Sequence, residues 1–149
     1  MTVPVGPITA THPLFADAAE LFDEYRQHYG ANPAPEAVAD WLRDQLISSR
    51  ARLYVAAGDR AQGICSVTVV PAALTLRTAW LVRDLYVAPH WRRYGVARAL
   101  LGHVADDARA AGAHRLSVQT ETANTAATDL YARSGFTSVT GVSLMDRTL

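Results

Sequence analysis

The sequence predicts a mixed α/β (α+β) domain, with a central sheet of about six to seven strands flanked by about four helices. Three observations predict it. Apolar residues recur at three- and four-residue steps in several stretches, as helices require, while other runs are rich in β-branched residues and bounded by turn residues. One long helical stretch, Tyr94 to Ala111, separates two strand-like runs, which should then lie parallel through a right-handed crossover. Finally, 149 residues, half of them hydrophobic, suffice for one ordinary core, so residues 1–149 are read as a single domain.

The elements follow in order. A short strand is expected around Val3 to Ile8. A first helix, Ala16 to Tyr29, sets Leu21, Phe22, Tyr25 and Tyr29 at helical spacing and ends at Gly30. A loop with Pro33 and Pro35 precedes a second helix, Glu36 to Ile47, in which Val38, Trp41, Leu42, Gln45 and Leu46 recur. Leu53 to Ala57, a turn at Gly58-Asp59, and Gly63 to Val70 read as an antiparallel hairpin. Pro71 to Thr78 reads as a loop before a strand at Leu81 to Val87, then a turn at Ala88-Pro89-His90. The long helix carries one apolar stripe, Val96, Leu100, Leu101, Val104 and Ala108, and Gly112 stops it. Arg115 to Thr120 is the next strand. Asn124 fits the cap of a short helix running to Arg133, with Gly135 at its exit. Phe136 to Val139 and Val142 to Asp146, around Thr140-Gly141, read as a terminal hairpin.

Composition narrows the function. Acidic and basic residues balance at 14 each, so no global positive field draws nucleic acid or a membrane surface. The single cysteine, Cys65, excludes an intrachain disulfide and a cysteine metal cluster, and it lies in a β-like run as a core thiol would. The histidines at 12, 28, 103 and 114 have no metal-ligand spacing and His90 reads as an exposed loop residue, so no metal is expected. The start, MTVPVGPIT, lacks a basic region followed by an apolar run, and no stretch is long and apolar enough for a membrane helix. A cytoplasmic protein is expected.

The stretch from Ala79 to Leu101 carries the chemistry. A helix N-terminus has unpaired N–H groups and about half a positive charge, and it favours phosphate. Arg92, Arg93 and Arg98 add full charges there, Gly95 lets an anion approach the backbone, and Ala97 leaves similar room. Such a strand–turn–helix also arises by chance in many α/β proteins. With no Gly-Lys-Ser/Thr and no three spaced glycines, the functional reading is a diphosphate site without a metal.

Three patterns together resemble the GCN5-related N-acetyltransferase (GNAT) family. They are Arg92-x-x-Gly95-x-Ala97, similar to that family's acyl-CoA pyrophosphate loop; the preceding Asp84-Leu85-Tyr86-Val87; and Asn124-x-x-Ala127-x-x-Leu130-Tyr131-x-x-x-Gly135-Phe136. They span Leu81 to Phe136. Arg93 departs from the pattern, since many members have glycine there. The resemblance implies acetyl-CoA as cosubstrate, bound by Leu85, Tyr86, Val87, Arg92, Arg93, Tyr94, Gly95, Val96, Ala97, Arg98, Asn124 and Tyr131. It also implies splayed parallel central strands, with the pantetheine arm in the gap and the Val87 N–H facing the thioester oxygen. Such a backbone donor can contribute about 3 kcal/mol.

Tyr131 matches the family's general acid, and a phenol of pKa about 10 can protonate a departing thiolate. A packing role with a structural hydroxyl bond is the alternative. A primary amine is only about one part in a thousand neutral near pH 7.4, a handicap of roughly 4 kcal/mol that desolvation or a base must offset. Asp84, acting through water, is the first candidate base, and Glu121 on the neighbouring strand is another titratable group. Asp84 salt-bridged to Arg83 or Arg92 is the structural alternative. Asn124 can both cap its helix and contact the pantetheine arm.

By the same resemblance the acceptor approaches beside the first two helices, so Tyr25, Arg26, Tyr29 and Glu121 are candidate acceptor residues. Aromatic core packing would explain the tyrosines equally, and Trp41 and Trp91 fit either core or rim. The implied reaction is acetyl transfer to the primary amine of a small molecule such as an amino acid, polyamine or amino sugar. A protein lysine or N-terminus is the alternative acceptor, and a non-catalytic acyl-CoA-binding module is the third reading. Asp17, Glu20, Asp23 and Glu24, which a basic peptide would need, read as a solvated face. A homodimer through the C-terminal strands is compatible with the family.

Overall fold

A computed structural model describes residues 3–149. The described elements are β1 (Val5–Ile8), α1 (Phe15–His28), α2 (Pro35–Ile47), β2 (Arg52–Ala57), β3 (Ala61–Ala72), β4 (Arg77–Val87), a 3-10 turn at Pro89–Trp91, α3 (Val96–Ala110), β5 (Arg115–Val118) and α4 (Thr125–Arg133). They fall into two compact units, one running through Gln119 and one spanning Thr120–Leu149.

The first unit is a five-stranded sheet in the order β1-β2-β3-β4-β5. Neighbours pair antiparallel, except that β4 and β5 are parallel, as a connection through α3 requires. Strand alternation sends side chains to two layers. Leu53, Val55, Ile64 and Tyr86 join Phe15, Leu21 and Phe22 of α1 and Val38 and Leu42 of α2 in one buried cluster. Between them, Tyr54 faces the other way, and its hydroxyl donates to Asp107 Oδ2 of α3 at 2.9 Å.

The stripe Val96, Leu100, Leu101, Val104 and Ala108 is buried throughout, as its periodicity requires. Gly63 lets the start of α3 lie close to the sheet. A Cβ there would sit 2.9 Å from Val96 Cγ1 and 3.2 Å from Leu100 Cδ1, inside van der Waals contact.

Several expectations need correction. The Pro71–Thr78 loop is mostly strand, because β3 continues to Ala72 and β4 begins at Arg77, with Pro71 facing Thr78. The strand from Arg115 stops at Val118 rather than Thr120, so Gln119 and Glu121 lie beyond it. Among the described residues no terminal hairpin forms, and the sheet has five strands rather than six or seven. Alternation shows only that a segment can pair, and an isolated two-stranded hairpin is marginal in water. Here Val139, Val142, Leu144 and Met145 are all exposed, so no covered apolar face holds those arms together.

Candidate active site

The carboxyl end of β4 is open along one edge. Its parallel pairing with β5 covers Ala79↔Arg115 to Val82↔Val118 and stops, while β4 continues five residues to Val87. The pairing with β3 shifts register between Ser66 and Val67, so that Asp84 faces Ser66 and Val82 faces Val67. Arg83 is the extra residue of this β-bulge. A bulge bends its strand and increases the local twist, which explains why β5 stops following β4 here.

Ladder alternation fixes where the open end points. Ala88 N donates to Gln62 O at 2.9 Å, so the facing residues Val87 and Gly63 are a pair that exchanges no hydrogen bonds. The N–H and C=O of Val87 therefore turn away from β3. The carbonyl accepts Arg92 Nε at 3.0 Å, and the Arg92 guanidinium lies 5.4 Å from the Tyr86 ring centre. Burial, with the charge of Glu24 second, raises the Tyr86 phenol above its ordinary pKa.

The loop into α3 has an unusual backbone. Arg93 (φ 68°) and Gly95 (φ 80°) both have positive φ. Nothing lies within 4 Å of where a Gly95 Cβ would stand, so the space above the helix end is open. No side chain caps α3, and its first backbone bond is Ala99 N to Gly95 O at 2.9 Å. The N–H groups of Val96, Ala97 and Arg98 thus point out of the helix end, beside the exposed side chains of Arg92, Arg93 and Arg98. This donor set suits a diphosphate. Among the described residues, no group of three or more His, Cys, Asp or Glu could hold a metal ion.

A cleft of about 450 Å³ lies between α1, α2 and β4, lined by Phe22, Tyr25, Arg26, Trp41 and Asp84, with Ala34, Ala37 and Val38. It brings together Tyr25, Arg26 and Asp84 from the sequence-derived set. Tyr29 is not among the lining residues. It is largely exposed, with its ring 5.3 Å from that of Tyr25. Asp84 is not in an ion pair with Arg83 or Arg92. Its carboxylate accepts the hydroxyl of buried Ser66, its cross-strand neighbour. The acids of α1 are likewise not simply solvated. Asp23 is buried and accepts Arg26 Nη1 at 3.2 Å, Ala34 N at 3.0 Å and Gln27 Nε2 at 3.3 Å, while Asp17 and Glu20 both bind Arg60.

The second unit is built on α4. Asn124 Oδ1 accepts Ala127 N at 3.2 Å, an N-cap bond. The Tyr131 ring meets Phe136 edge-on with centres 5.8 Å apart, and Phe136 N donates to Tyr131 O at 3.0 Å across the turn at Gly135. Glu121 is exposed ahead of the helix.

Sequence reasoning missed Ser66, Phe22 and Val38 as cleft or support residues. The polar Ser66 inside the buried run Gly63-Ile64-Cys65-Ser66-Val67 was the available signal. Trp41 and Trp91 are both substantially exposed, which places them at the rim rather than in the core, and Trp41 lines the cleft. Cys65 is fully buried, and burial pushes its thiol up to about 12.

The sequence profile of the acetyltransferase (GNAT) family matches residues 15–136, and the chain belongs to that family. It is an acetyltransferase of a family whose cosubstrate is acetyl-CoA. The chain is similar to an uncharacterized N-acetyltransferase, YhfO, of Bacillus subtilis (strain 168), with 28% identity across 85% of each chain. The crystal structure of a probable acetyltransferase matches with 30% identity and TM-score 0.91 over 98% of both chains. An aminoglycoside acetyltransferase from an uncultured soil metagenomic sample matches 99% of this chain and 96% of its own at TM-score 0.82. At 18% identity, that likeness concerns the fold alone.

Proposed function

We propose that the protein transfers acetyl from acetyl-CoA to the primary amine of a small molecule by direct attack in a ternary complex. The observation that carries this reading is the end of β4–β5 pairing at Val82↔Val118, with Val87 N–H turned to the unpaired side. Bound there, the cosubstrate supplies an activated thioester. Leu85, Tyr86 and Val87 offer backbone groups to the extended arm, much as a sheet edge takes an added strand. The Val87 N–H stabilises the oxygen on which charge develops. Arg92, Arg93, Tyr94, Gly95, Val96, Ala97 and Arg98 hold the diphosphate, and Asn124 contacts the arm while capping α4.

Asp84 takes one ammonium proton through water. The amine nitrogen then bonds the acetyl carbon as the carbon–sulfur bond breaks; the nitrogen gives its second proton to solvent water, and Tyr131, reprotonated from solvent afterwards, gives one to the departing sulfur. Tyr25 and Arg26 receive the acceptor, with Tyr29 and Glu121 as further contacts. Asp17, Glu20 and Asp23 of α1 are engaged within the chain rather than offered to a basic peptide, which favours a small acceptor.

The test is thiol release from acetyl-CoA across pooled amines. Wild type should release free thiol with at least one amine, and Tyr131→Phe should lower kcat by about 10²-fold or more with little change in acetyl-CoA affinity. An unchanged kcat in Tyr131→Phe would reduce that residue to packing. Binding without thiol release from any amine would leave a non-catalytic acyl-CoA module.

A further inference from the structure

We propose that the acceptor is an amine that also carries an anionic group and an apolar or aromatic body, the chemistry of a free hydrophobic α-amino acid, with Arg26 reading its carboxylate. This rests on the acetyl-transfer reading above and narrows its substrate. The cleft is lined by aromatic and aliphatic side chains with two charges, Arg26 and Asp84. Its volume of about 450 Å³ is that of a small-molecule site. The Phe22 ring lies 6.0 Å from Tyr25 and 6.2 Å from Trp41, forming an aromatic wall for an apolar side chain.

Arg26 is held in place rather than floating. Its Nη1 donates to Asp23 Oδ1 at 3.2 Å and to Asn32 O at 3.3 Å, while 38% of the side chain remains accessible. Asp23 divides its charge among Arg26, Gln27 and the Ala34 N–H, and its own side chain is only 9% accessible. The cleft therefore presents an oriented guanidinium, a good partner for a carboxylate.

At the β4 wall, Asp84 suits the ammonium of the same molecule. A polycation such as a polyamine or aminoglycoside would have one lining carboxylate, already accepting from Ser66, and would set its further charges against Arg26. Asp17 and Glu20 are committed to Arg60, and Glu24 acts on Tyr86.

The experiment compares phenylalanine, phenylalaninamide, 2-phenylethylamine, spermidine and kanamycin by thiol release, in wild type, Arg26→Gln, Arg26→Lys and Ala37→Phe. Binding of the first three is followed separately through tryptophan emission without acetyl-CoA, assigned with Trp41→Phe. Phenylalanine should exceed its amide in kcat/KM by about tenfold or more, chiefly through KM. Arg26→Gln should erase that advantage, lowering kcat/KM for phenylalanine by about tenfold more than for the amide, and Arg26→Lys should restore part of it. Ala37→Phe, which puts a ring into the cleft, should block every acceptor. Equal or better turnover of the amide, spermidine or kanamycin would overturn the proposal, as would an acid preference that survives in Arg26→Gln. Emission reporting phenylalanine with no thiol from any amine would keep the anionic-ligand assignment and sink acetyl transfer. Silence in both signals would sink both.

Discussion

Asp84 shows how one side chain is positioned by its strand. The bulge at Arg83 sets Asp84 opposite Ser66, whose buried hydroxyl donates to the carboxylate and fixes it on the cleft wall. Asp84→Asn should lower kcat/KM at neutral pH by roughly 10²-fold or more while acetyl-CoA affinity stays close to wild type, read by steady-state kinetics beside calorimetry. Equal losses in both would make Asp84 a structural residue. Arg93 offers a second separation. At φ 68° an arginine costs about 1–2 kcal/mol relative to an unstrained position, so Arg93→Gly should keep or raise Tm, yet weaken acetyl-CoA by removing a charge at the helix end. The motif positions and the departure at Arg93 were legible in the sequence; the left-handed backbone there and the Ser66 partner were not. The Ser66 partner depends on strand register, which short-range patterns do not encode.

At the level of elements, α3 was the most legible, because its five-residue stripe follows from helical period alone and every member is buried. Leu100→Ala should cost about 2–5 kcal/mol in denaturant unfolding, whereas substitutions on the exposed face of α3 should stay within about 0.5 kcal/mol. Gly63→Val should combine lost stability with weaker acetyl-CoA binding, because its Cβ pushes Val96 and Leu100 where α3 begins. The end of β5 and the missing terminal hairpin were illegible for a shared reason. Residues 115–120 and 136–146 have strand-like composition, but pairing depends on what lies alongside. The β4 bulge withdraws the partner from the first segment, and the apolar side chains of the second have no cover. The loop expected between β3 and β4 failed in the opposite sense, since Pro71 takes a place facing Thr78 near the hairpin's end.

For the whole molecule, pH and ligand responses follow from groups in the first unit. Burial, then Asp107, raises the Tyr54 phenol to about 12 from 10.0. The neutral phenol is thus favoured by folding; its contribution is complete below pH 10 and disappears as pH climbs toward 12. Cys65, raised to about 12 by burial, adds an alkaline loss in the same sense, beginning near its unfolded value of 9.0. Alkaline melts should therefore fall between about pH 9 and 12, and less steeply in Tyr54→Phe. Asp17 acts oppositely. Arg60 holds its carboxyl below the ordinary 3.8, so that contribution is present above this value and is lost as pH falls through the depressed pKa. No helix among the described residues is long and apolar enough to cross a membrane.

Acetyl-CoA should raise the melting temperature, since a ligand at 100 times its Kd adds about 2.7 kcal/mol to stability. The most direct measurement of the central claim is calorimetric titration of acetyl-CoA into wild type and into Gly95→Trp, with melts confirming that both are folded. Saturable one-to-one heat in wild type and its loss in Gly95→Trp are expected if the diphosphate sits at the amino end of α3 beside the open edge of β4. No heat in wild type, or equal affinity in the two proteins, would contradict it.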